Sequence, residues 1–168
     1  MKLKILGCSG GIGSGSHTSS MLLDEDILID AGTGVGELDL DQLMHIDHIF
    51  VTHSHLDHVV SIPFLVDTVG CMRDEPITIY ANQQTLEILK QHLFNWTIWP
   101  DFTRIPNSSE PYMRYQSVSV GETIDLQGRK ITPLPANHTV PATGFQIDSG
   151  QASLVFTGDT TTNDEIWK

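Results

Sequence analysis

The chain has 168 residues, 39% of them apolar, which suits a single globular domain with a buried core. Its formal net charge of −12 at pH 7 disfavours long-range attraction to nucleic acid or to an anionic membrane. No apolar run approaches the ~20 residues of a membrane-spanning helix, and the first apolar run is too short for a signal peptide. Cys8 and Cys71 form no CxxC pair, so we expect reduced packing residues in a cytoplasmic protein.

The first half of the chain alternates strand and helix patterns. Apolar runs on each side of residues 24–26 predict a hairpin, and Pro63 suits the first turn of a helix better than its middle. The predicted elements are a strand over residues 2–8, a Gly/Ser-rich loop over 7–20 and the hairpin over 20–32. A helix over 36–46 and a buried strand over 47–53 follow, and a second helix starts at Ser61 or Ile62.

The second half is richer in strand patterns. Asn82 is the predicted N-cap of a helix, and a long aromatic-rich loop follows that helix. A strand is predicted over residues 77–81, the capped helix over 82–94 and the loop over 95–113. Five strands follow, one over 115–120, two over 123–135, one over 143–150 and one over 153–159, and a helix starts at residue 163. Hairpins mixed with strand–helix alternation predict one α/β domain with mixed sheets, spanning residues 1–168.

The stretch FVTHSHLDH, residues 50–58, places three histidines and an aspartate after an apolar run. At the end of a strand, residues i and i+2 face the same way, so His53 and His55 can reach one point. Asp57 and His58 follow where the chain turns, and they can reach a second point beside the first. Imidazole and carboxylate ligands together suit Zn²⁺, Fe or Mn²⁺. Charged histidines this close would repel one another, so the pattern predicts a metal site rather than a solvated loop.

THSHLDH also resembles the signature of the metallo-β-lactamase superfamily, and three further motifs match that family in the right order. ILIDAGTG resembles its strand that ends in an Asp-Ala-Gly turn, in which Asp30 would brace the site by hydrogen bonding. PANHTVPATGFQI and LVFTGDT resemble the segments that carry a third histidine, His138, and a bridging carboxylate, Asp159. The resemblance implies a four-layer αββα sandwich with the metals at one edge of its two sheets.

The resemblance further implies two divalent metal ions, with zinc favoured and iron or manganese as alternatives. His53, His55 and His138 would hold the first ion. Asp57 and His58 would hold the second, and Asp159 would bridge the two ions. The two ions, ~3.5–4 Å apart, would share a hydroxide as the nucleophile. Asp57 could also orient that hydroxide or take its proton.

HTVPATGFQI resembles the phosphodiesterase branch of the family, which includes tRNA 3′-processing nucleases and class II cyclic-nucleotide phosphodiesterases. HSHLDHVVSIPFLVD resembles the latter, although Pro63 and Phe64 depart from their pattern. The chain is acidic and has no Lys/Arg-rich insert that could bind RNA. We therefore expect hydrolysis of a small phosphodiester, with 3′,5′-cyclic nucleotides favoured. An RNA 3′-end nuclease is the alternative enzyme, and a metal-binding protein without turnover is the alternative class. A homo-oligomer remains open.

Members of this branch carry one more histidine ligand for the second metal, whereas no histidine follows His138 here. The resemblance thus implies a domain incomplete at its C-terminus; fewer protein ligands, or a ligand from a neighbouring subunit, are the alternatives. We expect the first metal to bind more tightly than the second, and the natural continuation past Lys168 to raise metal content and activity. Metal titration of both lengths tests this expectation. Two equal sites in the monomeric shorter chain would contradict it.

Overall fold

The computed structural model describes residues 1–167, which form two β-sheets with a shared apolar interface. The first sheet has six strands in the order β1-β2-β3-β4-β5-β6: Leu3–Gly7, Ser20–Leu23, Ile27–Ala31, His48–Phe50, Ile77–Ala81 and Met113–Ser117. The second has four strands in the order β10-β9-β8-β7, where β7 to β10 are Ile124–Leu126, Arg129–Pro135, Thr143–Asp148 and Ser153–Phe156. The first sheet is mixed, because β1 to β3 pair antiparallel and β3 to β6 pair parallel. The second is antiparallel throughout.

Four α-helices lie in the described residues, all before β6. Helices α1 to α4 are Leu40–Met44, Leu56–Val59, Ser61–Val69 and Gln83–His92. Helix α4 starts where the sequence predicts, because the Asn82 side-chain oxygen accepts the Thr85 N–H at 2.8 Å. Short 3₁₀ segments occupy Thr33–Glu37, Gly70–Met72 and Asp164–Trp167. None of the helices within residues 1–167 combines the length and the hydropathy of a membrane-spanning segment.

The strands of the first sheet divide their apolar side chains between two cores, as the period-two alternation of a strand requires. In β3, Leu28 packs with the helices, whereas Ile27 and Ile29 pack with the second sheet. Phe50 belongs to the core between the sheets, where its ring stacks on Tyr80 with 4.4 Å between centroids. Helices therefore cover one face of the first sheet, and the second sheet covers the other.

Helix α1 and strand β4 are both shorter than predicted. Helix α1 begins only at Leu40, because the Asp39 carboxylate accepts the Gln42 N–H at 2.9 Å and caps the helix there. The strand expected over 47–53 ends at Phe50.

Thr52 explains the early end of β4. Its N–H donates to the Asp30 side chain at 2.8 Å, and its carbonyl oxygen accepts the Thr143 N–H of β9 at 2.9 Å. Because these partners satisfy the backbone of Thr52, the chain can leave the ladder of the first sheet and approach the second.

The expectation that both cysteines are packing residues is wrong. Cys8 and Cys71 are unpaired, as expected, but both are exposed. Cys8 follows β1 into the Gly/Ser-rich loop, and Cys71 lies in the 3₁₀ turn after α3.

An ion pair ties the two sheets together at the edge where β3 begins. Arg129, the first residue of β8, donates two hydrogen bonds to the Asp26 carboxylate in the β2–β3 turn, one of them 2.8 Å long. Partial burial opposes ionisation of Asp26, but the hydrogen bonds and the charge of Arg129 outweigh it and lower the pKa of the Asp26 carboxyl. The pair therefore stabilises the fold most when Asp26 is ionised.

We expect Asp26→Asn to lower the free energy of unfolding by about 1–2 kcal/mol at neutral pH, measured by urea unfolding. Because the folded-state pKa is lowered, this contribution is fully present above the unfolded pKa of ~3.9 and is lost as the pH falls through the folded value. The difference between parent and variant should therefore shrink below about pH 4. Asp67→Asn, at an exposed position of α3, is the control. A pH-independent difference would contradict the role of the charge.

Candidate metal centre

The predicted metal ligands meet at one edge of the two sheets. His53 and His55 follow β4, and Asp57 and His58 lie on α2. His138 lies in the β8–β9 loop, and Asp159 follows β10. The carboxyl ends of β3 and β4 and the loops of the second sheet thus bring distant parts of the chain together.

Three imidazole rings converge on one point. His55 Nδ1 lies 3.1 Å from His53 Nε2 and 3.2 Å from His138 Nε2. Two imidazole nitrogens on one tetrahedral zinc ion stand ~3.3 Å apart, because each Zn–N bond is ~2.0–2.1 Å long. The observed separations therefore fit a divalent metal held by these three side chains.

Hydrogen bonding fixes the tautomer of His53. The Thr52 hydroxyl lies 2.9 Å and 3.0 Å from the two oxygens of Asp30, which can only accept, so its hydrogen points toward that carboxylate. The same hydroxyl oxygen is 3.0 Å from His53 Nδ1 and accepts its N–H, which leaves Nε2 with a free lone pair toward the site. Burial and the neighbouring histidines lower the pKa of His53 to about 3, so the ring is neutral and able to bind a metal.

A second group of ligand atoms adjoins the first. One ligand atom each from His53, His58 and Asp159 lie within 4.8 Å of one another. His58 Nε2 is 3.6 Å from Asp159 Oδ1 and 3.5 Å from Asp57 Oδ2. One imidazole nitrogen and two carboxylates therefore face a second point, and His53 adjoins both groups.

Asp30 orients His58. Its Oδ2 accepts from His58 Nδ1 at 2.7 Å, and both side chains are buried. Burial raises the pKa of the Asp30 carboxyl, while the hydrogen bonds from His58 and Thr52 oppose that rise. Burial alone would lower the pKa of His58, but Asp30 and the nearby carboxylates raise it. The contact with Asp30 leaves Nε2 as the nitrogen of His58 that faces the site.

The histidines converge for a different reason from the one that the sequence suggested. Because β4 ends at Phe50, His53 and His55 do not share one face of a strand. Instead, His55 is the N-cap residue of α2, and Asp57 and His58 lie on that short helix rather than in a turn.

Two residues outside the predicted set hold the site together. Thr52 joins Asp30 to His53, as described above. The Asn137 N–H donates to Thr160 Oγ1 at 3.0 Å, and the Asn137 carbonyl oxygen accepts the Thr161 N–H at 2.8 Å. These bonds dock the segment that carries His138 onto the segment that carries Asp159. The only signal in the sequence is that each residue adjoins a predicted ligand.

The histidine of the Gly/Ser-rich loop and the aromatic residues after α4 have other surroundings. The His17 side chain is 3.3 Å from the Glu37 carboxylate. In the long loop after α4, Phe102 is buried and Trp99 packs against the core, whereas Trp96 is 59% exposed. Packing therefore accounts for two of these three aromatic residues.

Two curated relatives share segments of this sequence. A Yersinia pestis protein named "Probable 3′,5′-cyclic-nucleotide phosphodiesterase" is 30% identical over 123 residues, which cover 71% of this chain and 34% of the relative. A ribonuclease Z of Bradyrhizobium diazoefficiens is 33% identical over 144 residues, 81% of this chain and 46% of the relative. The chain thus spans less than half the length of either relative.

A solved structure has the same fold. The metallo-β-lactamase fold protein YhfI from Bacillus subtilis matches with a TM-score of 0.74 at 19% identity, over 96% of this chain and 64% of that chain. At this identity the likeness shows the fold alone, and it confirms the predicted sandwich. The described residues supply both sheets and the helices that cover the first.

A family model described as "Beta-lactamase superfamily domain" matches residues 25–168, a range that includes all of the predicted site residues. The match covers most of the sequence and confirms the family predicted from the four motifs. The chain belongs to the metallo-β-lactamase superfamily.

Proposed function

We propose that this protein is a metal-dependent hydrolase of phosphodiester bonds, with 3′,5′-cyclic nucleotides as its substrates. The proposal rests on the convergence of His53 Nε2, His55 Nδ1 and His138 Nε2 beside the carboxylates next to His58. One relative is named a phosphodiesterase and the other a ribonuclease, and both names denote cleavage of a phosphodiester bond.

The proposed ligand sets follow the two groups of side chains. His53, His55 and His138 would hold the first ion. His58 and Asp57 would hold the second, and Asp159, which adjoins His53 and His58, would contribute its carboxylate between them. Zinc is the proposed ion, because a set rich in imidazole suits it. The proposed location is the cytoplasm, which the two unpaired cysteines support.

Each side chain has a task in the proposed reaction. Divalent ions, when bound, would supply the electrophilic chemistry, because such ions lower the pKa of a bound water and polarise phosphoryl oxygens. The Asp57 carboxylate, 34% exposed and 3.5 Å from His58 Nε2, can accept the proton of the attacking water. Thr52 and Asp30 hold His53 and His58 so that each directs Nε2 into the site. Attack at phosphorus breaks one P–O bond and yields a phosphomonoester and a free hydroxyl group.

The choice of a small substrate rests on charge. The chain has nine Lys and Arg residues against 21 Asp and Glu. Two of the cations, Arg73 and Arg129, are paired with Asp47 and Asp26. A long RNA requires rows of cations along its backbone, whereas a cyclic nucleotide carries one phosphate that the metals can hold. RNA is the competing substrate, because the ribonuclease Z match covers more of this chain.

The ligand assignment predicts the effect of single substitutions on hydrolysis of bis-p-nitrophenyl phosphate. His53→Ala and Asp159→Ala should each lower kcat/KM by at least about 100-fold, because each removes a metal ligand. Elemental analysis should show less bound metal in both variants. His92→Ala, at an exposed position of α4, is the matched control. Variants as fast as the parent would refute the assignment.

A substrate panel separates the candidate functions. cAMP, cGMP and a tRNA precursor should be compared at equal metal loading. Preferential hydrolysis of a cyclic nucleotide supports the proposal, and preferential cleavage of the precursor would move the protein to the RNA 3′-end nucleases. Stoichiometric metal binding with no turnover of any substrate would indicate a metal-binding protein that is not an enzyme.

Asp30→Asn tests the orientation of His58. Asn tolerates the positive φ of 56° at this position, so the backbone can stay in place. The carboxamide nitrogen would donate to His58 Nδ1, move the imidazole hydrogen to Nε2 and block metal binding there. We expect metal affinity to fall about 10–100-fold, measured by titration.

Nitrogen NMR of the histidine rings distinguishes this mechanism from simple unfolding. The His58 tautomer should change in Asp30→Asn while the fold is retained. Asp67→Asn is the control. An unchanged tautomer combined with weaker metal binding would contradict the role given to Asp30.

A further inference from the structure

A groove of about 690 Å³ opens beside His138. The β8–β9 loop, residues 136–142, forms one wall, and the first turn of α4, with Asn82 and Gln84, forms another. Val120, from the turn after β6, also lines the groove. The volume lies within the ~300–1,000 Å³ typical of small-molecule sites.

Hydrogen bonds fix the walls of the groove. The Asn82 side chain caps α4 by accepting the Thr85 N–H, and the Thr85 hydroxyl donates to the Pro141 carbonyl oxygen at 3.2 Å. On the other side, Asn137 accepts the Thr161 N–H. The helix, the loop and the segment after β10 are therefore linked, and the groove is formed before any ligand arrives.

The chemistry of the lining is neutral. Among the described residues that line the groove there is no lysine, arginine, aspartate or glutamate, and His138 is the one titratable group. Val120, which is 56% exposed, and Val140 offer apolar surface, and Gln84 offers a carboxamide. A nucleobase has the matching properties, because its faces are apolar and its edge carries hydrogen-bond donors and acceptors.

We propose that this groove is a nucleoside-binding subsite, in which Gln84 hydrogen-bonds to the edge of the base and Val120 and Val140 contact its faces. The subsite rests on the proposed function, since it would hold the nucleoside while the phosphate lies at the imidazole cluster. His138 belongs to both the cluster and the groove lining, so a ligand bound in the groove adjoins the metal site. Inorganic phosphate is the competing occupant, because free N–H groups in the first turn of α4 attract anions.

Titration of the metal-free protein with adenosine, guanosine, cytidine and uridine tests the subsite without any need for turnover. At least one nucleoside should bind the parent with a dissociation constant of about 1 mM or below. Gln84→Ala should weaken that binding about fivefold, the worth of one uncharged hydrogen bond. Gln83→Ala is the matched control, because the neighbouring Gln83 side chain donates to Glu87 and does not line the groove.

Kinetics supply an independent test if the protein hydrolyses a cyclic nucleotide. Gln84→Ala should raise KM for that substrate about fivefold and leave kcat nearly unchanged, since the base is held equally in ground and transition states. Gln83→Ala, whose side chain does not line the groove, should leave KM and kcat for that substrate unchanged.

Three outcomes would overturn the subsite: no nucleoside binds, Gln84→Ala binds as well as the parent, or inorganic phosphate displaces the nucleoside from the metal-free parent. Nucleoside binding that depends on Gln84, without hydrolysis of any phosphodiester, would overturn the proposed function and leave the subsite standing.

Discussion

The site depends on the hydrogen bonds that the buried carboxylate of Asp30 accepts. The carboxylate accepts hydrogen bonds from the N–H and hydroxyl of Thr52 and from His58 Nδ1, and it has no exposed surface. Its backbone adopts a positive φ of 56°, a conformation that a non-glycine residue holds only when its surroundings favour it. An unpaired carboxylate at this depth would be strongly destabilising, so these donors and the carboxylate require one another.

Thr52 carries this constraint to both sheets. Its N–H and hydroxyl reach Asp30 at the end of β3, and its carbonyl oxygen accepts from Thr143 in β9. Beneath it, Phe50 stacks on Tyr80 and meets the Phe145 ring edge-on at 5.5 Å, which joins the two sheets by packing. These hydrogen bonds and ring contacts support the imidazole cluster from below. A metal site needs such support, because packing and hydrogen bonding must hold its ligands in position.

Charge is arranged differently at the two ends of the sheets. Where β3 begins, Asp26 and Asp47 are neutralised by Arg129 and Arg73. Where β3 ends, Asp57 and Asp159 approach His58 with no arginine or lysine among the described residues in contact with them. In a chain of net charge −12, these carboxylates favour a cation, and an anionic substrate would gain its attraction from that cation. If the groove beside His138 is the proposed subsite, its neutral lining would leave shape and hydrogen bonding to discriminate the rest of the substrate.

The sequence by itself predicted which histidines and aspartates come together, the succession of strands along the chain and the start of α4, because apolar periodicity, helix caps and the four motifs are local signals. The tertiary structure decided how those residues meet. The sequence predicted that strand alternation would align His53 with His55, whereas an early end to β4 and the short helix α2 bring them together. Thr52, Asn137 and the groove were not predictable, because their roles depend on contacts between segments far apart in the chain. No periodicity or spacing within one segment records which distant backbone group will satisfy it.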